Sequence, residues 1–346
     1  MAAKESGMQI RGKVSIFSLI IFLTIMFGCF ETKDKADDDD NENGGGGNTE
    51  YRVEMRTFVS EISDYAKTQK PGFFIIPQNG VELFTLTGDH EGEAAAGYLS
   101  KIDGTGQEDL FYGYDEDDAA TPAEEMEWIK GFLDIGKANN ITIMVTDYCS
   151  THSNMDDSYA KSAAAGYISF AADSRDLDTI PAYPAVIHNE NSTNVTSMAM
   201  AKNFLYLINP SNYSTKSAML SAISATNYDI VLIDAFFNEQ LLSSADIASL
   251  KTKKNGGTRL VICYMSIGEA EDYRYYWDEN WSADPPAWLT EENPDWEGNF
   301  KVRYWQREWK DIIYGSSDAY LDKILSCGFD GVYLDIIDAF EYFEGE

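Results

Sequence analysis

The stretch GFDGVYLDIIDAFEYFEGE, residues 328–346, sets the reading of the whole chain. Val332, Tyr333 and Leu334 form a short apolar run behind Gly331, the pattern of a buried strand. The run delivers two aspartates, Asp335 and Asp338. Asp338 lies three positions beyond Asp335, so it either faces the opposite way along the strand or follows the strand end, where it is free to meet a ligand. A chain that stops just after such a segment would ordinarily have half its fold still to build. The missing half is therefore sought upstream.

Upstream, short apolar runs alternate with helical-period segments, as in a parallel α/β fold. MRTFVSEISDYAKTQKPG (55–72) puts Phe58, Ile62 and Tyr65 on one helical face and stops at Pro71-Gly72. AEEMEWIKGFLDIGKANN (123–140) predicts a helix with Trp128, Phe132 and Ile135 on one face. Ser243 is read as a helix cap, with glycine closing that helix. Eight strands are expected near Phe74, Ile102, Ile143, Ile168, Leu205, Val231, Val261 and Val332. Eight βα units in about 300 residues predict a (β/α)8 TIM barrel. The alternative, a doubly wound open sheet, lacks its glycine fingerprint here. Strand after strand ends on a polar side chain: Gln78, Glu108, Asp147, Asn209, Asp234, Ser266 and Asp335. Any one of these is as readily a turn residue or a cap. In a parallel barrel all seven gather at one face, where active sites sit.

The first fifty residues carry a different message. Lys4, Arg11 and Lys13 precede VSIFSLIIFLTIMFG, which leads into Cys29. A charged start, a short apolar run and a small residue before the cut make a secretory signal (1–28), shorter than the ~20 apolar residues that span a bilayer comfortably. Gly28-Cys29 is similar to a bacterial lipoprotein box, with Cys29 the lipidated residue; an uncleaved anchor is the alternative. Residues 29–50, with an acidic block and four glycines, read as a tether without a core of its own. An exported outer-membrane or cell-surface lipoprotein, held to the membrane by its lipid, is expected.

Of a formal charge of −32, residues 1–28 hold +2 and residues 29–50 hold −6, which leaves −28 for the rest. Such a surface repels nucleic acid and attracts cationic ligands. Aromatic residues make up 13% of the chain, common where sugars are held and equally common in packing. Cys149, Cys263 and Cys327 are distant and odd in number, and His90, His152 and His188 lack metal-ligand spacing. No phosphate loop is present; neither a metal nor another cofactor is expected.

The segments CYMSIGEAEDYRYYW (263–277), YWQREWKDII (304–313) and GFDGVYLDIIDAFEYF resemble glycoside hydrolase family 114-like barrels, the endo-α-1,4-polygalactosaminidase group and its exported relatives. FVSEISDYAK, FFIIPQNG and IDGTGQEDLFYG (102–113) resemble the second half of the same family. The resemblance implies a circularly permuted chain. Residues 51–346 would form one domain, with 51–185 the family's second half, 200–346 its first half and 186–199 the joining loop. On that reading the fold is complete at Glu346, and Val332 and Phe74 belong to neighbouring strands.

The resemblance further implies an acid pair, Asp335 as nucleophile and Glu108 as general acid/base, with Asp109 a rival for Glu108. Gln78, Asn79, Asp147, Tyr148, Asp234, Glu269, Arg274 and Asp338 become candidate sugar ligands. Glu269, Glu271, Asp272 and Arg274 crowd one loop; Arg274 either holds an acidic neighbour or makes a surface ion pair worth under about 1 kcal/mol. Trp305, Trp309 and Tyr304 are candidates to stack on sugars, with helix packing the equal alternative for Trp309. An amino-sugar polysaccharide carrying ammonium groups suits the acidic mouth. VYLDIID departs from the Glu-Pro-Asp-Asn-like pattern of the characterised hydrolases, which places the chain nearer the family's uncharacterised branch. A glycan-binding lipoprotein or a scaffold on the same fold are the competing readings.

Overall fold

A computed structural model describes residues 50–345. The signal sequence, Cys29 and nearly all of the tether lie outside the described residues. No described helix is long and apolar enough to cross a membrane.

Eight parallel strands organise the fold. They are β1 (Phe74–Pro77), β2 (Gly104–Glu108), β3 (Thr142–Tyr148), β4 (Ile168–Ala172), β5 (Phe204–Leu207), β6 (Ile230–Ile233), β7 (Leu260–Ser266) and β8 (Gly331–Asp335). One sheet runs in the order β1-β8-β7-β6-β5, the other β2-β3-β4. Each expected strand is present. β2 begins at Gly104, after the expected Ile102, because Asp103 serves another purpose: its carboxylate accepts the Ile75 N–H at 2.9 Å and pairs with Lys67 at 3.0 Å. β8 lies between β1 and β7, and Ile75 is in register with Val332. The first and last strands are thus neighbours, as expected for Phe74 and Val332.

The two sheets share one core. β1 and β2 are joined by the parallel bridge Gln78/Gly106 and by the Asn79 N–H on the Gly106 carbonyl at 2.9 Å. At the other edges, Phe170 of β4 and Phe204 of β5 bring their rings to 5.7 Å. Tyr206 of β5 meets Tyr333 of β8 edge-on at 5.4 Å. Gly106 explains why a strand as poor in apolar residues as GTGQE is kept: a Cβ there would overlap the Tyr333 hydroxyl. Gly106→Ala is expected to destabilise the protein by about 1–3 kcal/mol through overpacking. The urea midpoint measures this, and an unchanged midpoint would contradict it.

Helices cover the strands. In α1 (Tyr51–Gln69), Met55, Phe58, Val59, Ile62 and Ala66 are fully buried, and Gly72 at φ +83° turns the chain into β1. In α2 (Ala123–Ala138) the buried face is Ile129, Phe132, Leu133 and Gly136. Of the expected face only Phe132 is fully buried: Trp128 stays 38% exposed, its ring edge-on to Phe132, and Ile135 is half-buried. Spacing of i, i+3, i+4, i+7 selects the observed set. Ser243 caps the helix Ser244–Leu250 in a capping box with Asp246, and that helix ends at Lys251, ahead of the glycines. Gly328 at φ +89° closes the helix Tyr320–Cys327 before β8. Cys149, Cys263 and Cys327 are free and buried.

The stretch after β7, expected as a charged loop, instead forms a small antiparallel sheet of Glu269–Glu271, Leu289–Glu292 and Asn299–Val302. Glu269, Ala270 and Glu271 are buried in it. Residues 186–199 are fastened at the opposite end of the strands. Lys253 and Asp229, both fully buried, pair at 2.8 Å. Lys253 also donates to the Asn191 carbonyl, while Asp229 accepts from the Asn191 side chain and the Lys202 N–H. An open depression of about 560 Å³, lined by Asn189, Asn191 and Lys202 among others, lies at this end, away from the carboxylates described next.

Candidate active site

The site is assembled by three adjacent strands, β8, β1 and β2. At the end of each, or directly after it, stands a polar residue followed by a non-glycine residue with positive φ: Gln78 then Asn79 (58°), Glu108 then Asp109 (57°), Asp335 then Ile336 (57°). Asn and Asp tolerate this conformation; for β-branched Ile336 it is strained, by about 1–3 kcal/mol. The sharp turns leave the side chains of Gln78, Glu108 and Asp335 at the carboxyl ends of the strands.

Glu108 is held by three donors. The Gln78 amide and the Tyr148 hydroxyl each donate to it, and the Asn79 amide does so at 3.1 Å. These donors are fixed in turn: Tyr206 donates to Gln78 Oε1 at 2.8 Å, and the Glu108 N–H donates to Asn79 Oδ1 at 3.0 Å. Asp335 has one side-chain donor, the Tyr264 hydroxyl at 2.5 Å. Burial and the charge of Glu108 push Asp335 up to about 8, against the lowering effect of Tyr264. Glu108 and Asp335 are therefore brought together, close enough for one to hinder ionisation of the other.

Asp338 follows the strand end, at the start of the helix Ala339–Glu344, which settles its two alternatives. Burial, then the charges of Glu82, Glu269 and Glu108, push it up to about 7. Asp109 does not share Glu108's surroundings: Arg175 grips both its oxygens, at 2.8 and 3.1 Å. Burial still raises Asp109 to about 7. The Arg175 guanidinium also lies 4.0 Å from the centre of the Tyr148 ring, bracing the residue that donates to Glu108.

Arg274 is buried, not a surface partner. It meets Asp234 at 2.8 Å and Glu271 at 2.6 Å, tying the turn after β6 to the small sheet. Burial raises Asp234, and Arg274 offsets part of that. Glu269 is buried against Asn293, whose amide donates at 2.8 Å, and burial raises it too.

The expectations for Asp147 and Tyr304 need correction, and the two alternatives for Trp309 are resolved toward packing. Asp147 points away from the site, fully buried; its oxygens accept the N–H groups of Phe111 and Tyr112 and the Ser158 hydroxyl at 2.6 Å. Alternation along β3 sends Tyr148 to Glu108 and Asp147 to the helix His152–Ala165. Asp147 therefore anchors a loop rather than a sugar. Trp309 and Tyr304 are also fully buried, Trp309 with its indole N–H on the Ile267 carbonyl at 2.9 Å, so neither presents a face to a ligand. Trp305 is partly buried among Tyr51, Tyr304 and Phe343.

Tyr264, Tyr206 and Arg175 were not anticipated. A tyrosine inside the apolar run VICYMS was the one available signal for Tyr264, since a buried hydroxyl needs a partner. Nothing in the loop around Arg175 marked it. Among the described residues no group of three or more His, Cys, Asp or Glu could hold a metal ion.

Comparison with known proteins bears on the later part of the chain. The sequence model of glycoside-hydrolase family GH114 matches residues 189–346, so this part of the chain is GH114-like. An uncharacterized protein of Methanocaldococcus jannaschii is 41% identical over 153 residues, 44% of this chain and 41% of that protein. Uncharacterized proteins of Thermotoga maritima and Deinococcus radiodurans are 39% and 40% identical over 134 and 122 residues, 40% and 37% of their own lengths. The chain thus spans about two fifths of the length of the curated relatives it matches.

Proposed function

We propose, for a chain that is GH114-like over residues 189–346, that Asp335 and Glu108 hydrolyse a glycosidic bond in an amino-sugar polysaccharide of the polygalactosamine kind. The observation that carries the reading is a pair of carboxyl groups at the carboxyl ends of two different strands, each held by its own donors, Tyr264 on Asp335 and Gln78, Asn79 and Tyr148 on Glu108. Glycoside hydrolysis needs such a pair, one member to protonate the leaving oxygen and one to act as nucleophile or base. The family's fold is a TIM barrel, and we extend this to a closed barrel in permuted order here. The β1–β8 pairing, the β1–β2 bridge and the Phe170–Phe204 contact support closure. The match of the family to the later half of the chain is in keeping with permutation. Export and lipid anchoring through Cys29 belong to the same proposal.

By motif, Asp335 is the nucleophile and Glu108 the acid/base. One consideration favours the reverse: Asp335, raised to about 8, keeps a proton at neutral pH, as a general acid must. Both assignments share a consequence. The coupled pair loses its last proton near pH 8, and without it the leaving oxygen cannot be protonated. Release of reducing ends from partially deacetylated polygalactosamine should therefore fall as pH rises through about 8. A rate unchanged from pH 7 to pH 9.5 would exclude the pair. Binding without cleavage at any pH would favour a glycan-binding protein.

A further inference from the structure

We propose that Tyr273 is the aromatic platform of a sugar subsite beside Asp335, taking the apolar face of one pyranose ring. The inference rests on the glycan reading above and adds a residue to it. Tyr273 sits in the loop that follows the small-sheet strand Glu269–Glu271. Its ring is 48% exposed, one of few large side chains left so open. Yet it is not a free surface residue. Its hydroxyl donates to buried Glu271, and its ring lies 5.2 Å from the guanidinium carbon of Arg274. Arg274 is itself fixed between Glu271 and Asp234, so the ring is held at both ends.

The topology puts that ring at the carboxyl ends of the strands, on the side of the acid pair. The chain leaves β7 at Ser266, in register with Asp335, and reaches Tyr273 through the small sheet. Arg274, which lies against the ring, bonds to Asp234 just beyond β6, and Tyr264 of β7 donates to Asp335. A rigid, half-exposed ring at the strand ends that carry the reacting carboxyls is suited to stacking, because little side-chain freedom remains to be lost on binding. The neighbouring Tyr275 is different. Its hydroxyl donates to the Asp318 carbonyl and its ring stacks on Phe236, which turns it to packing.

The test uses α-1,4-linked galactosamine oligomers and the Asp335→Asn protein, which binds without turnover, with affinity read by calorimetry. Tyr273→Leu keeps apolar bulk and loses the flat face; Tyr273→Phe keeps the face and loses the bond to Glu271. Weakening of about five- to tenfold in Tyr273→Leu, with Tyr273→Phe unchanged, is expected. Equal affinity in the two variants, strong or weak, would overturn the platform. Absence of binding by the Asp335→Asn protein itself would overturn the glycan reading and the platform with it.

Discussion

Asp335→Asn is expected to lower polygalactosamine hydrolysis roughly ten-thousand-fold while leaving the fold intact. The replacement keeps size and still accepts the Tyr264 hydroxyl, but it can neither attack nor carry the proton. Glu108→Gln should have an effect of the same order, since either carboxyl alone leaves the reaction incomplete. Azide then separates the roles. If Asp335 is the nucleophile, azide restores turnover of an activated glycoside in Asp335→Asn and gives a glycosyl azide of inverted configuration. If Glu108 is the nucleophile, the inverted product comes from Glu108→Gln instead. Full activity in either variant would remove the pair from the mechanism. The chemical argument is independent of stability, which should shift the other way. Asp335 is raised in the folded state, so its ionisation opposes folding increasingly as pH climbs from about 4 toward 8.

Lys253→Ala is expected to destabilise the protein by about 3–5 kcal/mol, a large share of a typical domain's stability. The side chains of Lys253 and Asp229 are wholly buried, so removing the ammonium strands a carboxylate without solvent to receive it. The loss extends to residues 186–199, because Lys253 also holds Asn191. A paired change, Lys253→Met with Asp229→Asn, should recover most of the loss, since a buried pair contributes little net stability over a neutral replacement. Urea denaturation of the three proteins decides the matter. A single variant as stable as the parent would mean that water reaches Asp229.

The strands were legible because their apolar runs are short, continuous and bounded, and Asp335 was legible because it ends one of them. Asp147 was misjudged by counting it as a strand end without following the alternation; Tyr148, the next residue, is the one that turns to Glu108. Arg274 was seen as a charge among charges. Its burial depends on Asp234, forty positions away, and on a sheet whose strands Glu269–Glu271 and Asn299–Val302 pair across a long insertion. Trp309 was undecidable in sequence, since an aromatic residue serves a ligand or a core equally well until its neighbours are known. The three donors to Glu108 come from two other strand ends, and only tertiary structure brings them together.

The pairing of β1 with β8 joins Phe74 to Gly331, almost the full length of the described chain apart. Closing so long a loop adds little to the entropy lost on folding, about 0.6 kcal/mol for each doubling of length. The effect falls on rate, because contacts so distant along the chain are slow to find one another. Gln78 and Glu108 lie on one side of that junction and Asp335 on the other. During synthesis the two carboxyl groups can meet only after the segment carrying β8 has left the ribosome. The candidate acid pair is thus assembled only once the two distant ends of the described chain have met.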